Sequence, residues 1–410
     1  MQRGLVALCL AFVAGACSSE PTTTSDHAAS AGAAGMSPSQ AGAGMSGNAT
    51  VAGTAGGGLA GAASLGGRAG AGGVGGVGGA IAGASSCEPT PEQLVPWPGR
   101  ANVTTLDMPD QFQSDLSGLT FEAASGALWA VNNLSSKLFR LLPQGAGYVP
   151  DTANGWSDGK LLRYPSGKGA PDSEGVTLGK DLSDGVFACA EHDADDSGTS
   201  RLSVLRYDVV AAGAATSLTA THEWNLTALL PPVGANLGLE AISWLPDDYL
   251  VLRGFFDEGK QAPYEPESYP DHGTGLFVVG VEQTGTLYVL ALDRAKSSAS
   301  LIATVATPNP GVMGLEFDRD NSQLRFNCDD TCGNESGILD IDTRATSATR
   351  GRFVVRRQFQ RPSGLPDSNN EGIAIGSACD GGYKPLFWTD DADAKGYSLR
   401  QGSIPCAACF

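Results

Sequence analysis

The sequence is poor in basic residues and in histidine. Its 410 residues include 26 lysines and arginines against 44 aspartates and glutamates, with 4 histidines, and the formal net charge is -18. Proteins that bind nucleic acid or an anionic membrane surface use basic faces to neutralise phosphates. The composition therefore argues against nucleic acid and anionic lipid as partners and favours cations, although an acidic surface also serves solubility alone.

A long hydrophobic run is missing as well. The apolar run from Leu5 to Val13 follows Arg3 and is too short to span a bilayer as a stable helix. Small residues then lead to Cys17, as in a secretory signal whose lipobox cysteine becomes the acylated N-terminus. We expect a lipoprotein signal peptide at residues 1–17, export across the inner membrane, and a lipid anchor in the cell envelope, at the outer membrane of a Gram-negative bacterium. The alternative is an ordinary secreted protein in which Cys17 is discarded or free.

Large side chains are nearly absent from residues 18–86, which consist almost entirely of Gly, Ala, Ser and Thr. Such a segment buries too little apolar surface to offset the entropy of ordering, so we expect a disordered tether there. Residues 87–410 have an ordinary composition and are long enough for one large domain.

The chain has 9 cysteines, two of which are Cys9 in the signal and Cys17 at the lipid site. The others would lie in an oxidising compartment, where disulfides form. Spacing suggests the pairs Cys328–Cys332, Cys379–Cys406 and Cys87–Cys409, and a buried free thiol at Cys189 in "VFACA". Connectivity is not determined by spacing, so these pairings are expectations; zinc binding by cysteine is disfavoured because no histidine cluster accompanies Cys406.

A short motif recurs roughly every 60 residues. Its five copies read "LSGLTF", "SEGVTL", "LEAISW", "VMGLEF" and "NEGIAI", and they begin at Leu116, Ser173, Leu239, Val312 and Asn370. Further short apolar runs follow each copy, rich in β-branched and aromatic residues and bounded by Gly, Asp and Asn, which is typical of strands. No helical periodicity competes with them.

This repetition predicts an all-β protein, a β-propeller of five four-stranded blades. The last copy lacks a fourth strand, which "NVTTLDM" from Asn102 could supply to close the ring. In the third copy, "YLVLRGFFDEG" from Tyr249 is interpreted as the second strand and "TLYVLALD" from Thr286 as an extra one. Six blades therefore remain an alternative, as does a pair of β-sandwiches.

Three of the five copies carry a glutamate at the same position: Glu174, Glu240 and Glu371. The first strand of each propeller blade lines the central channel, so these carboxylates should converge at one mouth. When carboxylates lie so close together, ionising all of them costs free energy unless a cation binds between them or one of them stays protonated. Oxygen ligands at a rigid mouth suit Ca²⁺ best. The alternative is that each glutamate only caps local backbone amides.

Two acidic loops occupy equivalent places in the repeat. "DADDSG" contains Asp193 and Asp195, and "DADAKG" contains Asp391 and Asp393. Alternate carboxylates followed by glycine resemble a calcium loop, but neither loop has the closing glutamate of an EF-hand. We expect partial calcium sites or, alternatively, acidic hairpin turns. His192 ends the strand before the first loop, which makes it the most notable histidine of the domain.

The segments "DSEGVTL", "GVFACAEHD", "NNEGIAI" and "LFWTDDADAKGYSLRQGSIPC" resemble the "esterase-like activity of phytase" group and the related SdiA-regulated family of bacterial envelope propellers. The resemblance extends over roughly residues 106–406. It implies a calcium-associated propeller. The lysine and arginine set with which β-propeller phytases bind phosphate is not recognisable here.

Two functions follow as hypotheses. The first is an envelope-anchored, calcium-associated propeller that acts as a binding or interaction module, monomeric, with a small-molecule or protein ligand at its mouth. The second is a calcium-dependent phosphoesterase or esterase in which Glu174, Glu240, Glu371 and Asp391 hold metal and substrate.

Overall fold

The computed structural model describes residues 93–112 and 114–407. The expected signal peptide with Cys17, the tether and the Cys87–Cys409 pairing lie outside the described residues. Within the described part, no helix is both long and apolar enough to span a membrane.

The described chain forms five antiparallel sheets, one for each copy of the motif. Blade 1 contains Leu116–Glu122, Ala127–Asn132, Lys137–Gln144 and Lys160–Arg163, with Gly147–Pro150 and Ser217–Thr219 added at its outer side. Blade 2 contains Pro171–Leu178, Val186–Asp193, Ser200–Tyr207 and His222–Asn225. Blade 3 contains Leu239–Pro246, Gly275–Val281, Thr286–Asp293 and Ser298–Ala306. Blade 4 contains Gly314–Asp318, Gln323–Asn327, Ser336–Ile341 and Phe353–Phe359, and blade 5 contains Ile373–Ile375, Tyr383–Thr389 and Leu399–Pro405.

The first strands of neighbouring blades pack against one another around a central axis, including those of blades 5 and 1. This ring is the five-bladed β-propeller predicted from the repeat, and the alternatives of six blades and of paired sandwiches are not realised. Large side chains fill the space between blades. Phe187 of blade 2 lies 4.5 Å from Phe277 of blade 3 between ring centroids, and Phe121 of blade 1 stacks on Phe387 of blade 5 at 6.1 Å.

The segment before the first motif closes the ring. Thr104–Thr105 pairs antiparallel with Leu399–Pro405 and supplies the fourth strand of blade 5, as predicted from "NVTTLDM". Leu94–Val95 then adds to blade 4 as a parallel outer strand. The first described residues are therefore hydrogen-bonded to the last two blades, which joins the two ends of the propeller.

The interpretation of blade 3 was wrong in two elements, its second strand and its extra strand. Its second strand is Gly275–Val281, whereas "YLVLRGFFDEG" begins in the helix Asp247–Leu252. Asp247 and Asp248 occupy the first turn of that helix, where acidic side chains favour helix formation. Thr286–Asp293 is the third strand of blade 3 and not an extra one. The small hairpin of Phe256–Asp257 and Ala262–Pro263 takes up further length of this copy.

The remaining irregular structure is short. The 3₁₀ turns are Ala194–Asp196, Pro266–Ser268, Glu282–Thr284, Asp330–Cys332 and Ala394–Gly396. Disulfides join Cys328 to Cys332 and Cys379 to Cys406, the two described pairings suggested by spacing. Cys189 is a free, buried thiol, as expected from its apolar strand.

Candidate metal centre at the propeller mouth

Glycines allow the first strands to approach closely around the axis. A Cβ atom at Gly118 would lie 2.5 Å from the carbonyl oxygen of Glu174 in the next blade, and one at Gly372 would lie 2.4 Å from that of Ser117. Real Cβ atoms do not come that close to an oxygen, so only glycine fits. The axis itself retains a cavity of about 10 Å³, which is about the space of one water molecule.

In the copies of the motif that carry a glutamate, the glutamate lies in a β-bulge. In blade 2, Ser173 pairs with Ala190 and Gly175 with Cys189, so Glu174 between them has no partner residue. In blade 3, Leu239 pairs with Val281 and Ala241 with Gly280, which leaves Glu240 in the same position. An extra residue bends a strand locally and redirects its side chain. The bulge thus points the carboxylates towards the mouth instead of into a blade interface.

The equivalent position in blade 5 has the same backbone pattern. The amide of Glu371 donates to the carbonyl of Thr389 at 3.1 Å, and the amide of Thr389 donates to the carbonyl of Gly372 at 3.1 Å. Glu371 and Gly372, which directly precede the first strand, therefore face the single residue Thr389 of the second strand, as in blades 2 and 3. The remaining copies carry Ser117 and Met313 at this position, so the carboxylates come from three blades only.

The structure brings these three carboxylates together. Glu174, Glu240 and Glu371 are 4%, 6% and 8% exposed, and one oxygen of each lies within 4.8 Å of the others. Two oxygens bound to the same Ca²⁺ at about 2.3–2.6 Å can be separated by up to about 5 Å. The cluster therefore has the size of a single calcium site.

Burial raises the pKa of all three carboxyls well above the usual range. Neighbouring carboxylates add to the effect, with Glu371 acting on Glu174, Glu174 on Glu240, and Asp391 on Glu371. The negative charge of these groups is therefore uncompensated, and the cluster needs either protons or a cation.

Side-chain amides hold the carboxylates in place. Asn133 donates to both oxygens of Glu174 at 3.0 and 3.1 Å. Asn369 donates from one nitrogen to Glu371 at 2.8 Å and to Asp391 at 3.1 Å. Oε2 of Glu371 is buried without a hydrogen-bond partner. An unpaired buried oxygen costs free energy, and a cation at the cluster would satisfy it.

Of the two acidic loops, the loop of blade 5 lies beside the mouth, although Asp391 belongs to no cluster of potential metal ligands found among the described residues. Asp391 is linked to Glu371 through Asn369, and burial together with Asp115 raises its pKa to about 6. Asp393 belongs to none of the carboxylate clusters found among the described residues, and it adopts a left-handed backbone conformation with φ of 51°.

The loop of blade 2 has a local role in this structure. Asp193 accepts hydrogen bonds from the amides of Ala170 at 2.9 Å and Asp195 at 3.2 Å, while Asp195 itself is exposed. Neither residue joins a carboxylate cluster among the described residues. The loop joins two antiparallel strands of blade 2 as a hairpin turn, and a partial calcium site there stays a prediction.

The mouth is also surrounded by acidic groups that do not belong to the repeated motif. Glu191 lies at the end of the second strand of blade 2, and Glu282 follows the corresponding strand of blade 3. Each contributes an oxygen within 4.8 Å of Glu240. Burial raises the pKa of Glu191 to about 7, although Glu240 shares a hydrogen bond with it. Their place at strand ends in "VFACAEHD" and "FVVGVE" is the only sequence signal for them.

Larger cavities lie elsewhere. Among them, one of about 780 Å³ is lined by Phe255 and Phe353, and one of about 580 Å³ by Phe121 and Phe317. Neither is lined by any cluster of potential metal ligands found among the described residues. The mouth therefore has the stronger basis for metal chemistry.

A comparison with solved structures finds distant similarities, among them the following three. Regucalcin from Agrobacterium tumefaciens, described as a calcium-binding protein, has 14% identity and a TM-score of 0.34 over 75% of this chain and 94% of its own. A gluconolactonase from Xanthomonas campestris has 14% identity and a TM-score of 0.33, covering 74% and 89%. The major allergen Mala s 1 of Malassezia sympodialis has 11% identity and a TM-score of 0.40, covering 74% and 95%.

At these identities and TM-scores, the similarities carry no argument about ligand or activity. No protein-family model matches the chain, and no curated protein matches it. The resemblance to phytase-like and SdiA-regulated propellers thus stays a prediction beyond its architecture. What the strand pairing establishes is a five-bladed β-propeller, and its mouth carries a buried cluster of carboxylates.

Proposed function

We propose that the mouth binds one divalent cation through Glu174, Glu240 and Glu371, and that this cation is calcium. The observation that carries this proposal is the convergence of three buried carboxylates whose strongest electrostatic neighbours are themselves carboxylates. Without a cation, the cluster must take up protons near neutral pH or bear the cost of buried charge.

The donor set favours calcium over softer metals. All three ligands offer oxygen atoms, and the amides of Asn133 and Asn369 hold the carboxylates at their periphery. Hard cations prefer carboxylate and carbonyl oxygen, and Ca²⁺ tolerates irregular arrangements of six to eight oxygens. Water and Asp391 would complete the coordination.

We propose further that the bound cation makes this propeller a binding module. A Ca²⁺ ion with open coordination positions attracts anionic groups, such as a carboxylate or phosphate of a small molecule or of a protein side chain. The axial cavity of about 10 Å³ admits no organic ligand, so the partner would dock on the outside of the mouth. The predicted anchor at Cys17 and the tether of residues 18–86 would hold the domain clear of the envelope membrane without fixing its orientation.

Calorimetric titration of the full chain, stripped of metal by a chelator, tests the cation site. We expect one calcium equivalent, and affinity lost by at least about 100-fold in the Glu174→Gln/Glu371→Gln double variant. Glu316→Gln is the matched control. Glu316 is buried on the first strand of blade 4 and burial raises its pKa to about 8, but it belongs to no cluster found among the described residues. Unchanged calcium affinity in the double variant would overturn the proposal.

A second candidate is metal-dependent ester hydrolysis at the same mouth. It is favoured by Glu191, whose pKa of about 7 suits a general acid or base and whose carboxyl hydrogen-bonds Glu240. Turnover of a generic phosphate or carboxylate ester that disappears with chelator and in Glu191→Gln would support it. Calcium binding without turnover would leave the binding module as the function.

A further inference from the structure

Beside the carboxylate cluster, blade 2 contains a group of mixed chemistry: Asp172, Glu191 and His192. Each offers one donor atom, and these atoms all lie within 4.8 Å of one another. Unlike the three glutamates of the mouth, the group includes an imidazole nitrogen. Imidazole together with carboxylates suits zinc and related transition metals, whereas calcium takes oxygen ligands.

A second bulge assembles this group. Pro171 pairs with Asp193 and Ser173 with Ala190, so Asp172 alone faces both Glu191 and His192. In a regular strand, adjacent residues point to opposite faces of the sheet. The extra residue changes this alternation and brings both neighbours to the same carboxylate. Tyr164 holds the site from outside the strand pair, donating its hydroxyl to the carbonyl of His192 at 2.9 Å.

The imidazole has one nitrogen with a partner and one without. Nε2 of His192 lies 3.0 Å from Oδ2 of Asp172, a hydrogen-bond distance. Nδ1 is buried and makes no hydrogen bond, although Oε2 of Glu191 lies 3.9 Å from it. Because His192 is only 4% exposed, this nitrogen cannot turn to bulk water.

His272 shows what a satisfied buried histidine looks like in the same protein. It is 6% exposed and also faces a carboxylate, with Nε2 3.1 Å from Asp247. Its Nδ1, however, is hydrogen-bonded to the backbone carbonyl of Tyr269. His192 also has a carboxylate partner at Nε2, namely Asp172, but its Nδ1 makes no hydrogen bond.

We propose that Asp172, Glu191 and His192 form a second metal site, selective for a transition-metal ion such as Zn²⁺. The ion lies between Nδ1 of His192 and Oε2 of Glu191, which are 3.9 Å apart, and a shift of about 0.5 Å in the Glu191 carboxylate gives the separation of about 3.4 Å between two tetrahedral zinc ligands. Asp172 accepts a hydrogen bond from Nε2–H and so fixes the tautomer and the ring orientation, the usual arrangement behind a metal-bound histidine. Glu240, hydrogen-bonded to Glu191, remains a ligand of the proposed calcium site, and water completes the zinc coordination.

The site is accessible from one side. The side chain of Asp172 is 14% exposed, while those of His192 and Glu191 are 6% and 1% exposed. Metal can therefore enter past Asp172 without unfolding of the blade. The contact between Glu191 and Glu240 places this site next to the proposed calcium site, and the two differ in donor chemistry.

The test is titration of the metal-free full chain with Zn²⁺, and with Co²⁺ as a spectroscopic probe of imidazole and carboxylate ligation. We expect the native chain to bind one Zn²⁺ equivalent. The affinity for Zn²⁺ should fall by about 100-fold in His192→Gln and by about 10-fold in Asp172→Asn. His272→Gln should bind Zn²⁺ as the native chain does, since its Nδ1 already has a partner. Calcium binding should persist in His192→Gln.

Three results would overturn the proposal: no Zn²⁺ binding by the native chain, equal Zn²⁺ affinity in His192→Gln, or equal loss in His272→Gln. Circular dichroism of each variant identifies any that fail to fold, and Asp172→Asn, which keeps the size of the side chain, provides the fallback. If the Glu174→Gln/Glu371→Gln variant loses calcium binding and retains zinc binding, the zinc site is independent of the proposed calcium site.

Discussion

Glu191→Gln should stabilise the metal-free protein at pH 8. Glu191 is 1% exposed, its Oε1 accepts the amide of Gly238 at 2.5 Å, and its carboxyl shares a hydrogen bond with Glu240. Glu240 is the donor and Glu191 the acceptor in the bond between the two carboxyls, and glutamine keeps an oxygen that accepts from Gly238. The substitution therefore removes the buried charge and keeps the hydrogen bond from Gly238.

The magnitude follows from the pKa. Burial raises the pKa of Glu191 from 4.5 to about 7, and each pKa unit corresponds to about 1.36 kcal/mol, so the ionised side chain costs about 3 kcal/mol in the folded state. The folded state binds more protons than the unfolded one between pH 4.5 and 7. Stability of the native chain should therefore fall as pH rises through that window. For a folded domain of about 300 residues, 3 kcal/mol corresponds to about 4–5 °C in Tm.

Thermal melts between pH 5 and pH 8.5 in chelator measure this difference. Glu191→Gln should melt about 4–5 °C above the native chain at pH 8 and within about 1 °C of it at pH 5. Glu223→Gln serves as the control, because it removes a carboxylate that is paired with Arg201 at 2.9 Å and should not raise Tm at any pH. A Tm of Glu191→Gln below that of the native chain at pH 8 would refute the reasoning.

Three further predictions concern the scaffold. Asp390→Asn should lower stability by about 3–5 kcal/mol in chemical denaturation, since it leaves buried Arg400, 2.7 Å from Asp390, without its charge partner. Gly372→Ala should cost about 1–3 kcal/mol by the same measurement, because the new Cβ would collide with the carbonyl of Ser117 and force the first strands of blades 5 and 1 apart. Cys189 should resist alkylating reagents in the native protein and react after denaturation, as mapped by mass spectrometry, because burial both shields the thiol and raises its pKa.

The sequence predicted the ring because its signal is repeated. Five copies of one motif mark the first strands, and the missing fourth strand of the last blade pointed to the segment that contains Thr104 and Thr105. The error in blade 3 has a local cause. "YLVL" has the composition of a strand, but two aspartates precede it and start a short helix, and propensity alone does not separate these outcomes at six residues.

The site was only partly predictable for a different reason. Equivalent positions in a repeat come together by symmetry, which is why Glu174, Glu240 and Glu371 could be grouped from the sequence. Asp172, Glu191 and His192 meet because of a register shift that occurs in one blade. A bulge leaves no regular trace in the spacing of apolar residues, so the pairing of Asp172 with two consecutive residues required the structure.

Burying three carboxylates close together costs free energy, and their positions around the ring suggest what a bound cation would contribute. Glu174 and Glu240 come from adjacent blades, whereas Glu371 belongs to the blade that the N-terminal strand Thr104–Thr105 completes. A cation bound by all three would therefore link blade 5 to blades 2 and 3 across the axis. Binding at 1,000 times the dissociation constant contributes about 4 kcal/mol to the folded state, which is comparable to the cost of one buried carboxylate here. Metal supply would then govern whether the mouth is rigid, and an anionic partner would meet an ordered site only when the cation is present.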